Sequence, residues 1–367
     1  MTSLLTLRSR LFSVLIVLVL GGILLTYTYQ KNAAKAMAYL RMYKRVHVKE
    51  MPRPLDDVLL AEHQPKPGRS IFFLETTRVT KNISDMKSNM LQLTARQACA
   101  IESAAFHNPN FEVFILFIGP IYRYPDNSSR RQSPIIDAIL SYKNVHLRQL
   151  NVWRYVEGTP IEEWVKEGDL FESKYPANHI SDLLRLISLY RYGGIYLDMD
   201  VVLLRSMENV PGNFAGAESL RSLANGVMGM EPIGFGHKFA EYCLFDFQHN
   251  FNGTLWGYNG PGVITRVAQK FCGTKNISLL LNDRKRCHGF HVFDDTAFYA
   301  VHSAHWRYFF QPEYLQQALQ LTKHSLLVHV WNNISKQLKI KVGSPTAYGK
   351  FAEQNCPKAY AAAGLYF

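Results

Sequence analysis

Two aspartates, Asp198 and Asp200, stand one residue apart directly after a short apolar segment, residues 195–197. If that segment is a strand, the alternation of its side chains puts both carboxylates on the same side of the chain. Carboxylates are hard oxygen ligands that suit Mg²⁺ or Mn²⁺, and such ions share their other coordination positions with phosphate and water. The pair therefore predicts a divalent-metal site that could hold a diphosphate. An Asp-x-Asp pair is common by chance, so the prediction depends on the elements around it.

A helix is predicted immediately before this strand. Apolar residues recur at helical spacing after Ser181, which is a suitable N-cap, and Gly193 and Gly194 favour the helix end because glycine accepts the left-handed conformation. Asp182 and Arg185 lie three residues apart on the face away from the apolar stripe. They are either an ordinary surface pair, worth about 0.2–0.5 kcal/mol, or polar groups that face a ligand beyond the next strand.

The segments that precede this helix alternate between strands and a helix. Residues 71–74 and 111–117 read as buried strands, residues 145–147 as a weaker strand, and residues 93–105 as a helix between the first two. Strand, helix and strand at these spacings indicate βαβ units and a parallel sheet. Ligands of such a sheet bind beyond the carboxyl ends of its strands, where the aspartate pair falls. We therefore expect an α/β fold, with a single domain over residues 70–367.

The stretch from Ser181 to Asp200 resembles the S-D-x-x-R…G-G-x-Y-x-D-x-D core of a known family. That family is the membrane-anchored α1,4-glycosyltransferases, the group of lactosylceramide 4-α-galactosyltransferase and α1,4-N-acetylglucosaminyltransferase. Further segments are similar to the galactosyltransferases in particular: residues 71–77, 97–104, 256–266 and 329–332. The resemblance spans most of residues 70–356. It implies a GT-A fold, a UDP-sugar donor, Mn²⁺ (or Mg²⁺) as cofactor and retention of the α-anomeric configuration.

The resemblance also implies roles for individual residues. Asp200 would coordinate the metal directly, and Asp198 would contact the ribose and the metal shell, so these two are the predicted catalytic and metal-binding residues. Asp182 and Arg185 would hydrogen-bond the hydroxyls of the donor hexose, which offers both donors and acceptors. Phe73, in the first strand, would lie under the uridine.

Three further residues are candidates, each with a structural alternative. Asn225 resembles a family asparagine near the donor, but Asn-Gly is also a plain turn sequence. His329 could bind the diphosphate or complete the metal shell, or it could pack within a strand. Trp256, in a glycine-rich loop, could stack on the acceptor sugar or serve as a packing anchor. A double displacement would need a carboxylate beneath the anomeric carbon, and the sequence does not identify one.

The N-terminus predicts a membrane anchor. Residues 11–29 are nineteen uncharged, mostly apolar residues, close to the roughly 20 that cross a bilayer. A cleaved signal peptide is the alternative, but the run exceeds the ~7–15 residues of a signal core and has no small-x-small site at its end. We expect a cytosolic tail over residues 1–10, a stem over residues 30–69 and a lumenal domain beyond it, in a single-pass type II protein of the Golgi membrane. Sequons that favour a lumenal domain begin at Asn82, Asn127, Asn252, Asn276 and Asn333.

Charge and cysteine content narrow the possible functions. The net charge is +12, but no dense basic stripe is present, so nucleic acid is not an expected partner. A mildly basic domain suits anionic nucleotide ligands. No C-x-x-C motif occurs, so a zinc or redox motif is not expected. One or two disulfides fit an oxidising lumen. Cys272–Cys287 is the preferred pair because it brackets a short polar loop, and the odd count of five leaves at least one cysteine unpaired within the chain.

The predicted function is transfer of galactose or N-acetylgalactosamine from UDP to a terminal sugar of a glycosphingolipid, forming an α1,4 bond. The expected partners are UDP-galactose or UDP-N-acetylgalactosamine and a glycolipid acceptor. An aspartyl phosphatase is one alternative, because residues 198–202 also fit D-x-D-x-V, with Asp198 as nucleophile and Asp294 and Asp295 as metal ligands. That alternative leaves the upstream polar pair unexplained. A non-catalytic lumenal sugar-binding protein is the other alternative.

Overall fold

The computed structural model describes the chain at residues 15, 18–37, 51–77, 89–125, 133–281 and 283–367. The chain divides into two units, Met1–Arg53 with Tyr124–Arg131, and Pro54–Arg123 with Gln132–Phe367.

In the first unit, residues 18–37 are helical. Within the described part of the chain, no helix combines the length and the apolar character needed to cross a membrane. The predicted tail over residues 1–10, part of the predicted span and the sequons at Asn82 and Asn127 lie outside the described residues.

The second unit begins inside the predicted stem. Leu55 and Val58 are buried, and the Val58 N–H donates to the Gln149 carbonyl at 2.9 Å. The boundary predicted between residues 69 and 70 therefore falls within a packed unit.

Strands of the second unit form two sheets. In chain order they are β1 (Ser70–Glu75), β2 (Glu112–Ile118), β3 (Val145–Leu150), β4 (Gly194–Leu197), β5 (Val201–Leu203), β6 (Phe214–Ala217), β7 (Leu223–Met230), β8 (His291–Phe293) and β9 (Leu327–His329). Arg53–Pro54 and Tyr122–Arg123 are two-residue strands. The larger sheet has the order β8-β6-β7-β4-β1-β2-β3, and the smaller sheet pairs β5 with β9.

Helices cover both faces of the larger sheet. They are α1 (Ala95–His107), α2 (Pro134–Leu140), α3 (Val152–Val156), α4 (Glu162–Glu167), α5 (Pro176–Tyr192), α6 (Gly234–His249), α7 (Pro261–Phe271), α8 (Asp295–Phe298), α9 (Leu315–Leu321), α10 (Asn332–Ser335), α11 (Ala347–Asn355) and α12 (Pro357–Ala362), with 3₁₀ turns at Ile277–Leu279, Ser303–Phe309 and Pro312–Tyr314. Alternate residues of β1 enter different cores: Ile71 and Phe73 pack in one, and Phe72 and Leu74 in the other. A strand buried on both faces is apolar throughout, which is why β1 and β2 were recognisable.

The larger sheet is mixed rather than wholly parallel. The predicted strands and the helix between them are confirmed, and β1, β2 and β3 pair in parallel as expected. β7, however, runs antiparallel to both β4 and β6. Because β7 is reversed, its first residues lie beside the carboxyl end of β4, with Val227 opposite Leu197.

Helix α5 begins earlier than predicted. It starts at Pro176, a residue suited to the first helical position because its missing N–H is not needed there, so Ser181 lies inside the helix and is not its N-cap. The predicted end is confirmed, since Gly193 and Gly194 have φ of 62° and 83°. A Cβ on Gly194 would overlap the Ser70 carbonyl of β1, so glycine also permits the close approach of β4 to β1.

Two disulfides link parts of the second unit. Cys272–Cys287 is confirmed, and Cys99–Cys356 joins α1 to the C-terminal end of α11. Cys243 is buried with a free thiol, which accounts for the odd cysteine.

Candidate functional site

A cleft of about 540 Å³ opens at the carboxyl ends of β1 and β4. The predicted site residues on its walls are Asp182, Arg185, Asp198, Asp200, Asn225, Trp256 and His329. The larger sheet therefore brings together side chains that are up to about 150 residues apart in the sequence, at the edge where an α/β sheet binds ligands.

The two aspartates meet a histidine in this cleft. The ligand atoms of Asp198, Asp200 and His329 all lie within 4.8 Å of one another. His329 Nε2 is 3.1 Å from Asp200 Oδ1 and 3.7 Å from Asp198 Oδ2. Residues 199–200 form a turn after β4, so the carboxylates converge through that turn and not through strand alternation. The antiparallel pairing of β9 with β5 sets His329 opposite Val201 and so beside the pair.

Asp200 is oriented by the chain that follows β9. Its Oδ2 accepts the Asn332 N–H at 2.8 Å, and its main-chain carbonyl accepts the Val330 N–H at 2.9 Å. Trp331, between these residues, has a left-handed backbone with φ of 55°, and its indole N–H donates to the Val301 carbonyl at 2.9 Å. The strained residue thus turns the chain at the point where the Asn332 N–H must face the carboxylate.

Asp198 is held by two donors on one oxygen. Arg185 Nη1 and the Tyr196 hydroxyl lie 3.0 and 2.7 Å from Oδ1, and the guanidinium stacks 4.5 Å above the Tyr196 ring. Burial raises the pKa of Asp198, but Arg185 and His329 lower it more, to about 2. Burial lowers the pKa of His329, but Asp200 and Asp198 raise it more, to about 10. The carboxylates of Asp198 and Asp200 thus have two cationic neighbours, Arg185 and protonated His329, and a divalent ion bound here would displace the His329 proton.

Asp182, Arg185 and Asn225 form a buried polar cluster beside the three groups. Asn225 Nδ2 donates to Asp182 Oδ1 at 2.8 Å, Arg185 Nη2 lies 3.4 Å from the same oxygen, and Arg185 Nη1 donates to the Asn225 carbonyl at 3.0 Å. Each residue is less than 9% exposed. The surface-pair alternative for Asp182 and Arg185 is therefore wrong, and so is the turn alternative for Asn225, which lies within β7. Burial raises the pKa of Asp182, while Arg185 and Asn225 oppose the shift.

Two glycines leave space next to these clusters. A Cβ on Gly226 would lie 2.7 Å from Asp198 Oδ2 and 3.5 Å from His329 Nε2, and a Cβ on Gly260 would lie 2.5 Å from Asp182 Oδ1. Two carboxylates and an imidazole with open space at their meeting point form a donor set that fits a divalent ion such as Mn²⁺. The residues present therefore fit the implied metal.

A second group of possible metal ligands lies elsewhere, at His63, Glu112 and His146. Glu112 and His146 stand near the amino ends of β2 and β3, the opposite edge from the cleft. Lys66 Nζ already contacts Glu112 Oε1 at 2.8 Å, and His146 Nε2 lies 2.7 Å from Glu112 Oε2. These contacts satisfy the carboxylate, so the cleft is the better candidate for the functional site.

Some predicted residues take other positions. The Phe73 side chain is fully buried in a hydrophobic core and is absent from the cleft walls, so the predicted contact with uridine is not supported. Trp256 is half exposed at the cleft, which disfavours the packing-anchor alternative. Asp294 caps α8 by accepting the Thr296 N–H at 3.1 Å, and neither Asp294 nor Asp295 lines the cleft, so the structure does not bring the second metal-ligand pair of the phosphatase alternative to Asp198. Asn333 lines the cleft, where a glycan on its sequon would fill the space.

The cleft residues that were not predicted as site residues include Thr77, Glu218 and Lys336. Thr77 follows β1 as Asp198 follows β4, so the same argument about strand ends could have found it. Glu218 follows β6, but the Phe-Ala-Gly-Ala sequence of that strand has no recognisable alternation. Lys336 ends the short helix after His329, and only its charge could have indicated a role.

Comparison with known proteins supports a common family. Residues 94–216 match the glycosyltransferase sugar-binding region containing the DXD motif, and residues 232–363 match the α1,4-glycosyltransferase conserved region. Lactosylceramide 4-α-galactosyltransferase of Mus musculus is 30% identical over 301 residues, which are 82% of this chain and 77% of that protein. α1,4-N-acetylglucosaminyltransferase of Homo sapiens is 26% identical over 293 residues, which are 80% of each chain.

Solved structures are much more distant. The galactosyltransferase LgtC, crystallised with donor and acceptor sugar analogues, has 12% identity and a TM-score of 0.36 over 80% of this chain and 95% of that one. At that score the likeness carries no weight. The similarity to the mouse protein and the two matched regions show that this chain belongs to the α1,4-glycosyltransferase family and is a hexosyltransferase.

Proposed function

We propose that this chain transfers galactose, or N-acetylgalactosamine, from a UDP-sugar to a terminal sugar of a glycosphingolipid, with retention and an α1,4 linkage. The observation that carries the proposal is that two clusters open into one cleft. Asp198, Asp200 and His329 fit a divalent ion, and Asp182 with Arg185 and Asn225 fits a hexose. A nucleotide sugar presents a diphosphate, which would bind the ion, next to a hexose, which would bind the second cluster. The names of the relatives supply the acceptor class and the linkage.

The metal would be Mn²⁺ or Mg²⁺, held by Asp198, Asp200 and His329. When bound, it would offset the negative charge that develops on the departing diphosphate. Lys336, which also lines the cleft, would add a second positive charge toward the phosphates. Burial lowers the pKa of Arg185, but Tyr196, Asp198 and Asp182 raise it more, and the guanidinium 3.0 Å from Asp198 favours the ionised carboxylate.

The hexose would meet groups that are already fixed in place. The contacts among Asp182, Arg185 and Asn225 hold each side chain before the sugar arrives, so little side-chain entropy is lost on binding. A carboxylate accepts hydrogen bonds from sugar hydroxyls, and the guanidinium and amide donate to them. Trp256, half exposed beside this cluster, would offer its ring to the acceptor sugar.

A GT-A fold and a Golgi location complete the proposal. The mixed sheet with its binding cleft at the strand ends is compatible with a GT-A domain, which would begin near Pro54. Residues 11–29 would anchor the protein as a single-pass type II membrane protein, with residues 1–10 in the cytosol and the catalytic domain in the lumen. An anchor would hold the cleft near a lipid acceptor.

The test is a donor and acceptor screen with matched variants. Purified protein is incubated with Mn²⁺, UDP-galactose, UDP-N-acetylgalactosamine or UDP-N-acetylglucosamine, and lactosylceramide or hexosamine-ended glycolipids. We expect Mn²⁺-dependent transfer to one of these acceptors, and Asp200→Asn should abolish it without unfolding the protein. Asp294→Asn is the control, because asparagine also caps a helix and Asp294 is not among the cleft residues.

The two variants separate the transferase from the phosphatase. If Asp294→Asn abolished activity, or if the protein hydrolysed a phosphoester with no sugar acceptor, the phosphatase would be favoured. Full transfer by Asp200→Asn would refute the metal assignment.

A further inference from the structure

Tyr299 carries a buried hydroxyl with no hydrogen-bond partner in the described part of the chain. The residue is 3% exposed and follows α8 directly. A buried hydroxyl without a partner destabilises a fold, because its desolvation is not offset. Phenylalanine would fill the same space without that penalty. The hydroxyl therefore suggests a partner that forms under some other condition.

The Tyr299 ring is fixed against the metal-binding groups. Its centroid lies 5.7 Å from the His329 ring and 5.8 Å from the Trp331 ring. On the other side the ring packs on β6, where a Cβ on Gly216 would come within 3.0 Å of Tyr299 Cε2. The absence of a side chain on Gly216 is what admits the ring. The ring therefore packs between β6 on one side and the His329 and Trp331 rings on the other.

The acceptors beside the His329 ring, against which Tyr299 packs, are the carboxylates of Asp198 and Asp200. Burial raises the pKa of Tyr299 well above its usual range, and the carboxylates of Asp198, Glu218 and Asp200 raise it further, in that order. The phenol is thus protonated and is a hydrogen-bond donor. Both oxygens of Asp200 are already engaged, Oδ1 by His329 Nε2 at 3.1 Å and Oδ2 by the Asn332 N–H, whereas Asp198 Oδ2 lies 3.7 Å from His329 Nε2, beyond hydrogen-bond distance.

Of the two carboxylates, Asp198 is the one that lies farther from His329. Its Oδ2 lies 3.7 Å from His329 Nε2, while Asp200 Oδ1 already lies 3.1 Å from that nitrogen. Asp198 therefore has the larger distance to close if one ion is to take all three groups.

We propose that Tyr299 is a positioning residue that donates its hydrogen bond to the Asp198 carboxylate in the metal-bound state. The proposal rests on the metal site of the proposed function and assigns it one further group. Hydrogen bonds to metal-ligating carboxylates orient the ligand, and their loss typically weakens metal binding about 10- to 100-fold. In this arrangement the Tyr299 hydroxyl has no hydrogen-bond partner in the metal-free protein and donates to Asp198 in the metal-bound protein.

The test compares Tyr299→Phe with Tyr155→Phe in the metal-free and metal-bound protein. Tyr155 is equally buried but remote, and its hydroxyl is already paired with Ser188 Oγ at 3.0 Å. Thermal unfolding without metal and Mn²⁺ affinity by titration calorimetry are measured for both variants. We expect Tyr299→Phe to unfold no earlier than the wild type yet bind Mn²⁺ about 10- to 100-fold more weakly. We expect Tyr155→Phe to unfold earlier and bind Mn²⁺ as the wild type does.

Each other outcome has a defined meaning. If Tyr299→Phe binds Mn²⁺ as tightly as the wild type, the proposed positioning role of Tyr299 is overturned, while the proposed metal site is not affected. Earlier unfolding of metal-free Tyr299→Phe would also overturn it, because the hydroxyl would then have a structural partner. If the wild-type protein itself failed to bind Mn²⁺, the metal site of the proposed function would fall instead.

Discussion

Gly226→Ala places a methyl group where the proposed metal ligands Asp198 and His329 meet. Gly226 lies in β7, and its carbonyl accepts the Asp198 N–H at 2.8 Å, so the backbone there is fixed. The added Cβ would lie 2.7 Å from Asp198 Oδ2, whereas relaxed contacts between non-bonded heavy atoms are about 3.5 Å. Asp198 would have to move by roughly 0.8 Å, although Arg185 and Tyr196 hold its other oxygen.

The size of the effect follows from the crowding. Inserting one carbon into a packed site costs about 1–3 kcal/mol, and here the group displaced is a proposed metal ligand. If that cost falls on the metal-bound state, Mn²⁺ affinity decreases about 5- to 150-fold. Titration calorimetry with Mn²⁺ on the purified protein measures the decrease, and thermal unfolding without metal reports whether the fold is intact.

Gly229→Ala is the matched control in the same strand. Its Cβ would overlap the Phe214 ring in the core and not the cleft. We expect this variant to unfold at a lower temperature while the folded protein keeps its Mn²⁺ affinity. The reasoning is refuted if Gly226→Ala binds Mn²⁺ as tightly as the wild type, or if both variants lose affinity only in proportion to their loss of stability.

Two further predictions concern catalysis and the acceptor. Glu218→Gln should keep the transfer rate within about tenfold of the wild type, because in the proposed mechanism the leaving diphosphate itself deprotonates the acceptor hydroxyl. A loss of about 100-fold or more, together with a glycosyl-enzyme detected by mass spectrometry, would instead assign Glu218 as the nucleophile of a double displacement. Trp256→Ala should raise the KM for the glycolipid about 2- to 10-fold, the value of one aromatic contact, and leave UDP-sugar affinity unchanged. The comparison is Trp153→Ala, because Trp153 is similarly exposed and packs on Phe171. An equal rise in the KM of the Trp153→Ala variant would contradict an acceptor role for Trp256.

The part of the site that could be predicted is contiguous in the chain. Residues 182–200 run through one helix and one strand, so local periodicity, the glycine pair and the aspartates place Asp182, Arg185, Asp198 and Asp200 near one another without any knowledge of the remaining chain. β1 and β2 were predictable for a related reason, since strands covered on both faces need continuous apolar sequence.

The remaining site residues depend on strand order and direction. Asn225 reaches Asp182 only because β7 is reversed, and a reversed strand has no mark in its own sequence. Phe73 was misplaced because its position along β1 was known but the face to which its side chain points was not.

The amino-acid sequence alone was enough to indicate an α/β fold, the aspartate pair, the family resemblance and the Cys272–Cys287 bridge, because each depends on residues close together in the chain or on a local pattern. The register of β9 on β5, which brings His329 to the aspartates, and the unpaired hydroxyl of Tyr299 depend on contacts between segments far apart in the sequence. Such contacts result from how sheets and helices pack, and packing is a property of the whole chain. The sequence thus predicts a divalent ion and a nucleotide sugar as ligands, and the folded structure places His329 beside the two aspartates and reveals the residue proposed to position Asp198.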